Sequence, residues 1–283
     1  MFRDIGDIRE VFRANADARR EAAAGTSSMV MSTGGPSTES FSVWARVGGG
    51  LVNADFGGDL DASHFFGQAG VEFAAFGPFS AGVGVGGATT SADIASEHLD
   101  GDAFFVQPYF GYSDGTLSAV ASLIYTRTDY DDSTGLIESG DRFAGSLSVA
   151  YGVPLTDMTT ASPFVFLAGG VENLDTSSGS EDLDFVIARA GVELSHHTEL
   201  LNTGTMHVYG SVAGEYVSNN EPEILAPATL VSHDDDRIGG WVEVGLDFTI
   251  AGTDTQFFAS GHGSGLGTDA PGVGGKFGIK LAF

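Results

Sequence analysis

The sequence of 283 residues contains no cysteine, so it can form neither a disulfide nor a thiolate metal site. It also lacks any apolar run near the roughly 20 residues that a membrane-spanning helix needs. Basic residues are scarce, since 12 Lys and Arg stand against 38 Asp and Glu and give a net charge of −26. Nucleic-acid binding requires a basic face, and we therefore expect none. A membrane protein made from this sequence would have to be a β-barrel, because only helices and closed barrels span lipid.

Glycine and phenylalanine are abundant instead, at 42 and 21 residues. Because glycine costs about 1 kcal/mol per helical position relative to alanine, this composition disfavours a helix bundle and favours strands. Residues 3–24 are the exception: they are rich in Ala, Arg and Glu, and Ile5, Ile8 and Phe12 recur at helical spacing. We predict one helix there, about 30 Å long, followed by a Ser, Thr and Gly linker over 25–40.

Downstream of the linker, apolar and polar residues alternate in twelve segments. In one of them, Val242, Val244 and Leu246 share one face of a strand while Glu243 and Asp247 share the other. A soluble β-sandwich would give the same alternation, so periodicity alone leaves both architectures open. The segments lie near 41–54, 62–75, 78–92, 102–113, 115–128, 142–153, 162–173, 184–195, 204–217, 237–250, 254–263 and 271–283.

Connection lengths separate these two architectures. Tight turns near 113–115 and 251–254 alternate with longer, acidic links near 93–101, 129–141 and 218–236. Short turns at one rim and long loops at the other are typical of bacterial outer-membrane barrels, whereas a sandwich has no reason to produce them. The acidic loops either only remain solvated or bridge through divalent cations to anionic lipopolysaccharide.

The closing segment FGIKLAF has one apolar face and one small or charged face. Apolar groups that continue to the membrane interface are typical of the last strand of an outer-membrane barrel, although an edge strand on a soluble core would show the same pattern. The apolar face consists of Phe277, Ile279, Leu281 and Phe283, which alternate with Lys276, Gly278, Lys280 and Ala282.

Three short motifs carry a resemblance to a known family. IGDIRE at 5–10 is similar to a segment in the pore helix of monomeric autotransporters, VWARVGGG at 43–50 resembles the first strand of their translocator domain, and FGIKLAF at 277–283 resembles its closing strand. With the number and order of the segments, the resemblance covers essentially the whole chain. It implies an all-β fold, a 12-stranded antiparallel transmembrane β-barrel over 41–283, with an N-terminal α-helix of residues 1–24 in the pore.

The resemblance and the strand alternation assign residues to three roles. The barrel-assembly machinery would recognise Phe277, Ile279, Leu281 and Phe283 in the closing strand. The polar side chains of the pore helix would be Arg3, Arg9, Arg13, Asn15, Arg19 and Arg20. A barrel of this size has a lumen about one helix wide, and the resemblance places Trp44 and Arg46 there. Strand alternation adds further residues to the inner wall, which would suit an Arg-bearing helix. These residues are Arg189, Glu193, Glu215, Glu243 and Asp247.

The resemblance implies delivery of an N-terminal passenger across the bacterial outer membrane and its anchoring there, with no bond made or broken. We therefore expect a monomer with no enzyme activity, no cofactor and no metal. Its partners would be outer-membrane lipid, lipopolysaccharide, the barrel-assembly machinery and its own passenger. Self-cleaving members carry an Asn-Asn pair in the helix, but here Ala16 follows Asn15, so self-cleavage is not expected. The opening residues lack a signal peptide, and we expect that residues before Met1 have been removed.

Two other functions stay open. A barrel without a plugging helix would be an outer-membrane solute channel. Outer-membrane phospholipases use Ser and His on the barrel surface, and His262 and Ser264 in the sequence GHGSG are the candidates for that chemistry. A G-x-S-x-G elbow, however, would need glycine where His262 stands.

Three smaller motifs have simpler interpretations. GVGVGG at 82–87 fits G-x-G-x-x-G, but no helix follows it as a nucleotide site requires. Its alternate glycines would instead let a helix approach the wall. His196 and His197 are expected in a turn, where they point to opposite sides and chelate poorly. The phenylalanine pairs at 104–105 and 257–258 are expected at the lipid interface.

Overall fold

The computed structural model describes residues 41–55, 59–74, 77–94, 97–133, 137–177, 179–200, 203–220 and 237–283. The helix and linker predicted for residues 1–40 lie outside these ranges, as does most of the acidic link at 218–236. Within the described ranges, no helix is long and apolar enough to cross a membrane.

The described residues form twelve long strands and one strand of two residues. Their abundance of β-branched and aromatic residues at alternate positions favours this extended backbone. The strands are β1 (Phe41–Asp55), β2 (Asp59–Ala74), β3 (Phe79–Ile94), β4 (Glu97–Ser113), β5 (Leu117–Asp132), β6 (Ile137–Tyr151), β7 (Val153–Pro154), β8 (Thr159–Thr176), β9 (Gly179–Leu200), β10 (Gly204–Asn220), β11 (Arg237–Ile250), β12 (Thr255–Leu266) and β13 (Gly272–Ala282).

These strands close into one antiparallel barrel. Each long strand pairs with its neighbours in sequence, β6 pairs with β8, and the short β7 adds only two residue pairs beside β8. The barrel closes where β1 pairs with β13, from Ser42 opposite Ala282 to Val52 opposite Gly272. The predicted barrel of twelve strands is therefore confirmed for the part of the chain that the structure describes.

Several strands are longer than the sequence pattern predicted. Strand β9 continues to Leu200, so His196 and His197 lie in a strand and the prediction of a turn there is wrong. The expected long links at 93–101 and 129–141 are mostly strand as well. Beyond the membrane both faces of a strand meet water, so the apolar contrast disappears while the hydrogen-bonded ladder continues.

The barrel has an apolar outer surface and a polar interior. In β1, Phe41, Ala45 and Val47 are exposed on the outside while Trp44 and Arg46 between them are buried. This orientation is the reverse of a soluble sandwich and is the one that lipid requires.

Aromatic residues mark both edges of the outer apolar surface on three strands. Outward-facing pairs stand eight residues apart: Phe65 and Phe73 on β2, Phe104 and Tyr112 on β4, and Phe143 and Tyr151 on β6. We call the surface between these two aromatic rows the apolar belt.

The expectation that both residues of each phenylalanine pair face lipid is wrong for one residue of each pair. Phe105 and Phe258 point inward and are 0% and 1% exposed. Consecutive strand residues face opposite sides, so a Phe-Phe pair cannot supply two residues to one surface.

Candidate functional site

The inner face of the barrel is lined with buried polar and charged side chains. Of the predicted lumen residues, six are at most 3% exposed, namely Trp44, Arg46, Arg189, Glu215, Glu243 and Asp247, and Glu193 is half-buried beside them. Residues that the sequence analysis did not assign to the lumen also lie there: Gln68, Glu72, Gln107, Tyr109, Arg142, Glu172, His207, Lys276 and Lys280. Alternation along the strands would have indicated most of them, since their neighbours in sequence are largely outward and apolar.

A row of hydrogen-bonded side chains runs along the inner wall from β1 to β6. Arg46 Nε donates to Gln68 Oε1 at 2.8 Å, and Gln68 Nε2 donates to Gln107 Oε1 at 2.9 Å. Gln107 Nε2 then donates to the Ser122 hydroxyl at 3.2 Å, which lies 2.8 Å from the hydroxyl of Ser146. Arginine has no acceptor, so Arg46 fixes the direction in which both amides point.

The alternate glycines of β3 make room for large inward side chains. A Cβ on Gly82 would overlap the ring of Tyr109, and one on Gly84 would lie 2.8 Å from Trp44. Trp44 Nε1 donates to the Tyr109 hydroxyl at 2.9 Å across these glycines. The expectation that the glycines admit a helix is therefore wrong at this level, because side chains of β1 and β4 already cover them.

Arg189 is the centre of a second cluster, on the opposite side of the barrel. Its Nε donates to Glu215 Oε2 at 2.7 Å, and its guanidinium carbon lies 5.2 Å from the ring centre of Phe166 and 5.0 Å from that of Trp241. The other carboxylate oxygen of Glu215 accepts the amide of Gly265 at 3.2 Å. Arg189 and Glu215 thus form a buried ion pair between two aromatic rings.

The remaining predicted acids lie on the same side of the barrel, at other levels of β9 and β11. Glu193 accepts a hydrogen bond from the Ser211 hydroxyl at 3.3 Å. Asp247 lies 3.4 Å from Nδ1 of His207. Together with Glu243, these groups make the β9 to β11 side of the lumen acidic.

A third charged pair spans the closing seam of the barrel. Lys280 Nζ of β13 donates to Glu72 Oε1 of β2 at 3.0 Å, and the two side chains are 4% and 2% exposed. The pair passes over β1, which lies between these two strands. Alternation with Val71 and Phe73 indicates that Glu72 faces inward, but its partner, 208 positions away in sequence, is invisible to local patterns.

His98 lies at the barrel rim beyond the apolar belt, with both ring nitrogens near carboxylates. Nδ1 is 2.7 Å from Asp93 on β3, and Nε2 is 3.0 Å from Asp100 on β4. These hydrogen bonds, first that of Asp93 and then that of Asp100, raise the pKa of His98 above its ordinary value.

The residues considered for phospholipase chemistry do not face lipid. Ser264 is 3% exposed and lies on the inner face of β12, two residues from His262 on the same face. Within the described part of the chain, no three His, Asp or Glu side chains are grouped as ligands for a metal ion.

A closed barrel with an apolar belt and a charged, polar lumen defines the class of integral outer-membrane barrels. The family model of the autotransporter beta-domain matches residues 43–262. The chain therefore belongs to the autotransporter β-domain family. No curated protein sequence matches the chain significantly.

Solved structures of autotransporters have the same fold. The beta domain of the Bordetella autotransporter BrkA has a TM-score of 0.65 at 16% identity, covering 86% of this chain and 100% of that one. For the translocator domain of NalP from Neisseria meningitidis, the TM-score is 0.58 at 14% identity, with 97% and 98% covered. The transport unit of AIDA-I from Escherichia coli has a TM-score of 0.61 at 13% identity, with 95% and 98% covered.

Membership of this family gives the chain its function and its location. It is an autotransporter translocator domain of the bacterial outer membrane, and it serves the secretion of an N-terminal passenger across that membrane.

Proposed function

We propose that residues 1–24 form a helix that occupies the lumen after passenger delivery, that residues 25–40 link it to the barrel, and that residues 41–283 anchor the assembly. The observation that carries this proposal is the charge of the inner wall. Glu243 and Asp247 are acidic and buried on β11, and Glu193 is half-buried on β9, where they would face an arginine-rich segment.

The spacing of the arginines in residues 1–24 would let one side of a helix face such an acidic wall. Arg9, Arg13 and Arg20 follow one another at intervals of four and seven residues, which places them on one stripe of a helix. Where water enters between the helix and the wall, ion pairs are individually weak. A helix held in this way would plug the pore yet remain able to leave it.

The same proposal assigns partners to the outer surface and to the closing strand. The barrel-assembly machinery recognises the outward row Phe277, Ile279, Leu281 and Phe283 during insertion. Lipid and lipopolysaccharide cover the apolar belt, so the barrel acts as a monomer. The barrel itself makes and breaks no covalent bond.

Planar-bilayer conductance tests the plug. We compare the full chain with a chain lacking residues 1–24, and expect low conductance from the first and a large increase from the second. Charge reversal tests the stripe: the double variant Arg9→Glu, Arg13→Glu should open the pore. Arg3 lies off the stripe, so Arg3→Glu is the control and should leave the conductance low. Equal conductance of the full and shortened chains would instead favour a solute channel.

Surface exposure of a passenger tests the export role directly. An epitope fused before residue 1, behind a signal peptide, should become accessible to added protease on intact cells, and should remain inaccessible when β12 and β13 are deleted. A phospholipid hydrolysis assay with Ser264→Ala as control addresses the enzyme alternative. Hydrolysis that this variant abolishes would contradict a purely translocating barrel.

A further inference from the structure

The seam between β1 and β13 has an ambiguous apolar pattern. On the outer surface of the barrel, Val43 lies opposite Leu281, Ala45 opposite Ile279 and Val47 opposite Phe277. All of these side chains are apolar, so a slip of two residues would keep an apolar outer surface. A slip of one residue would turn that surface into the lumen and is excluded for that reason.

Glycine makes the seam still less specific. The three successive glycines of β1, at 48–50, lie opposite Lys276, Gly275 and Gly274. Strands rich in glycine specify their register weakly, because few side chains interlock across them. Another feature must therefore select the register in which the last strand closes the barrel.

Charges on the inner face of the seam supply that selection. In the observed register, Arg46 lies opposite Gly278, which stands midway between Lys276 and Lys280. A slip of two residues in one direction would bring Lys280 opposite Arg46, and a slip in the other direction would bring Lys276 there. Of these three registers, the observed one alone places neither lysine directly opposite Arg46.

Arg46 cannot easily turn away from such a lysine. Its Nε is bound to Gln68, its guanidinium carbon lies 5.5 Å from the ring centre of Phe66, and it is 2% exposed. Like charges directly opposite each other destabilise a strand pair, and inside a poorly solvated wall the repulsion is larger than in water.

We propose that Arg46, Lys276 and Lys280 fix the register of barrel closure, and that Glu72 receives Lys280 when the register is correct. Arg46 rejects each of the two slipped registers through a different lysine. Glu72 adds an attractive contact with Lys280 at 3.0 Å, and the slip that brings Lys280 opposite Arg46 would pull this contact apart. Setting a register is the best-attested way in which buried polar or charged groups make a protein structure specific.

Cysteine pairs across the seam report the register. The chain has no cysteine of its own, so I279C with A45C reports the observed register, and I279C with V43C or V47C reports the two slips. Opposed residues have Cβ atoms about 5 Å apart and diagonal ones about 7–8 Å apart, which is too far for a disulfide. The oxidised products are compared for barrels folded in outer membranes.

The two lysine substitutions should allow slips in opposite directions. Lys280→Gln should raise the ratio of the V47C product to the A45C product at least about tenfold, as the loss of one like-charge contact in a low-dielectric wall implies. Lys276→Gln should raise the V43C product instead. Lys280→Arg and Lys276→Arg keep the charge and should keep the observed register.

Glu215→Gln is the control, since it breaks a buried ion pair remote from the seam. Slipped products in Glu215→Gln would overturn the proposal. So would the same mixture of slipped products in both lysine variants, or lysine variants that give only the A45C product at unchanged yield. If a lysine variant does not fold, Arg46→Gln tests the proposal instead, because it removes the repulsion of Arg46 with Lys276 and with Lys280. Both slipped products must then form, and a barrel that shows only the observed register or fails to fold refutes the proposal.

Discussion

Phe41 and Phe283 stack on each other with ring centroids 5.1 Å apart, and the amide of Phe283 donates to the carbonyl of Phe41 at 2.9 Å. The first residue of β1 and the residue that follows β13 therefore meet at one point on the outer surface. Phe73 of β2 continues the same aromatic row, with its ring centre 6.4 Å from that of Phe41.

This stack predicts coupled effects of two substitutions. Phe41→Ala and Phe283→Ala should each lower the free energy of unfolding, and the double variant should show a coupling of about 0.5–1.5 kcal/mol, as measured for aromatic pairs. Urea unfolding in lipid vesicles gives the three values. Phe41→Ala with Phe110→Ala is the control, and its effects should add. Additive effects for Phe41 and Phe283 as well would show that the stack contributes nothing.

The buried pair of Arg189 and Glu215 should matter far more than an exposed one. Arg189→Gln should lower the free energy of unfolding by about 3 kcal/mol, because it leaves a buried carboxylate without its cation. Arg127→Gln is the matched control: Arg127 pairs with Asp141 at 3.2 Å, but the side chains are 53% and 36% exposed, and the loss should stay below about 1 kcal/mol. Equal losses would mean that water reaches Arg189 freely.

Gly82 should tolerate no side chain, while Gly214 should. Gly82→Ala would displace Tyr109 and break its hydrogen bond from Trp44, at a cost of about 1–3 kcal/mol for overpacking. Gly214 has no atom within 4 Å of an added Cβ, so Gly214→Ala should leave the unfolding free energy nearly unchanged or raise it slightly. Quenching of the tryptophan fluorescence by iodide, compared with the unsubstituted chain, should increase only for Gly82→Ala.

His98 should make the rim of the barrel more stable at acid pH. Its folded-state pKa lies above the ordinary 6.5, so its contribution is complete below that value and is lost as pH rises through the folded-state pKa. Amide protection factors, which divide out the intrinsic pH dependence of exchange, should therefore be higher at pH 5.5 than at pH 8.5 at the adjoining ends of β3 and β4. His98→Asn should abolish this difference, and a variant that retains the full difference would contradict the assignment.

The sequence predicted the strands because the membrane imposes a period of two on each of them. Val242, Val244 and Leu246 marked the lipid side of β11 before any partner was known, and Trp44 and Arg46 marked the inner side of β1. The ends of β5 and β9 could not be found in this way, because beyond the apolar belt polar residues alternate with other polar residues.

Contacts across the barrel were also beyond the reach of sequence patterns. Nothing near Glu72 indicates Lys280, and nothing near Gly82 indicates that Tyr109 rests on it. Such contacts depend on strand order and register, which only the closed barrel defines. Residues 1–24 carry predictions of helix and plug that stay predictions, since they lie outside the described residues.

The eight-residue spacing of the outward aromatic pairs determines how thick a bilayer the protein requires. At about 3.3 Å per residue along the strand and a tilt of about 40°, Phe65 and Phe73 differ in depth by about 20 Å. A typical hydrocarbon core is about 30 Å thick, so ordinary lipids would suffer hydrophobic mismatch around this protein. The lipids next to it must shorten or tilt their chains, and the barrel should insert most readily where acyl chains are short.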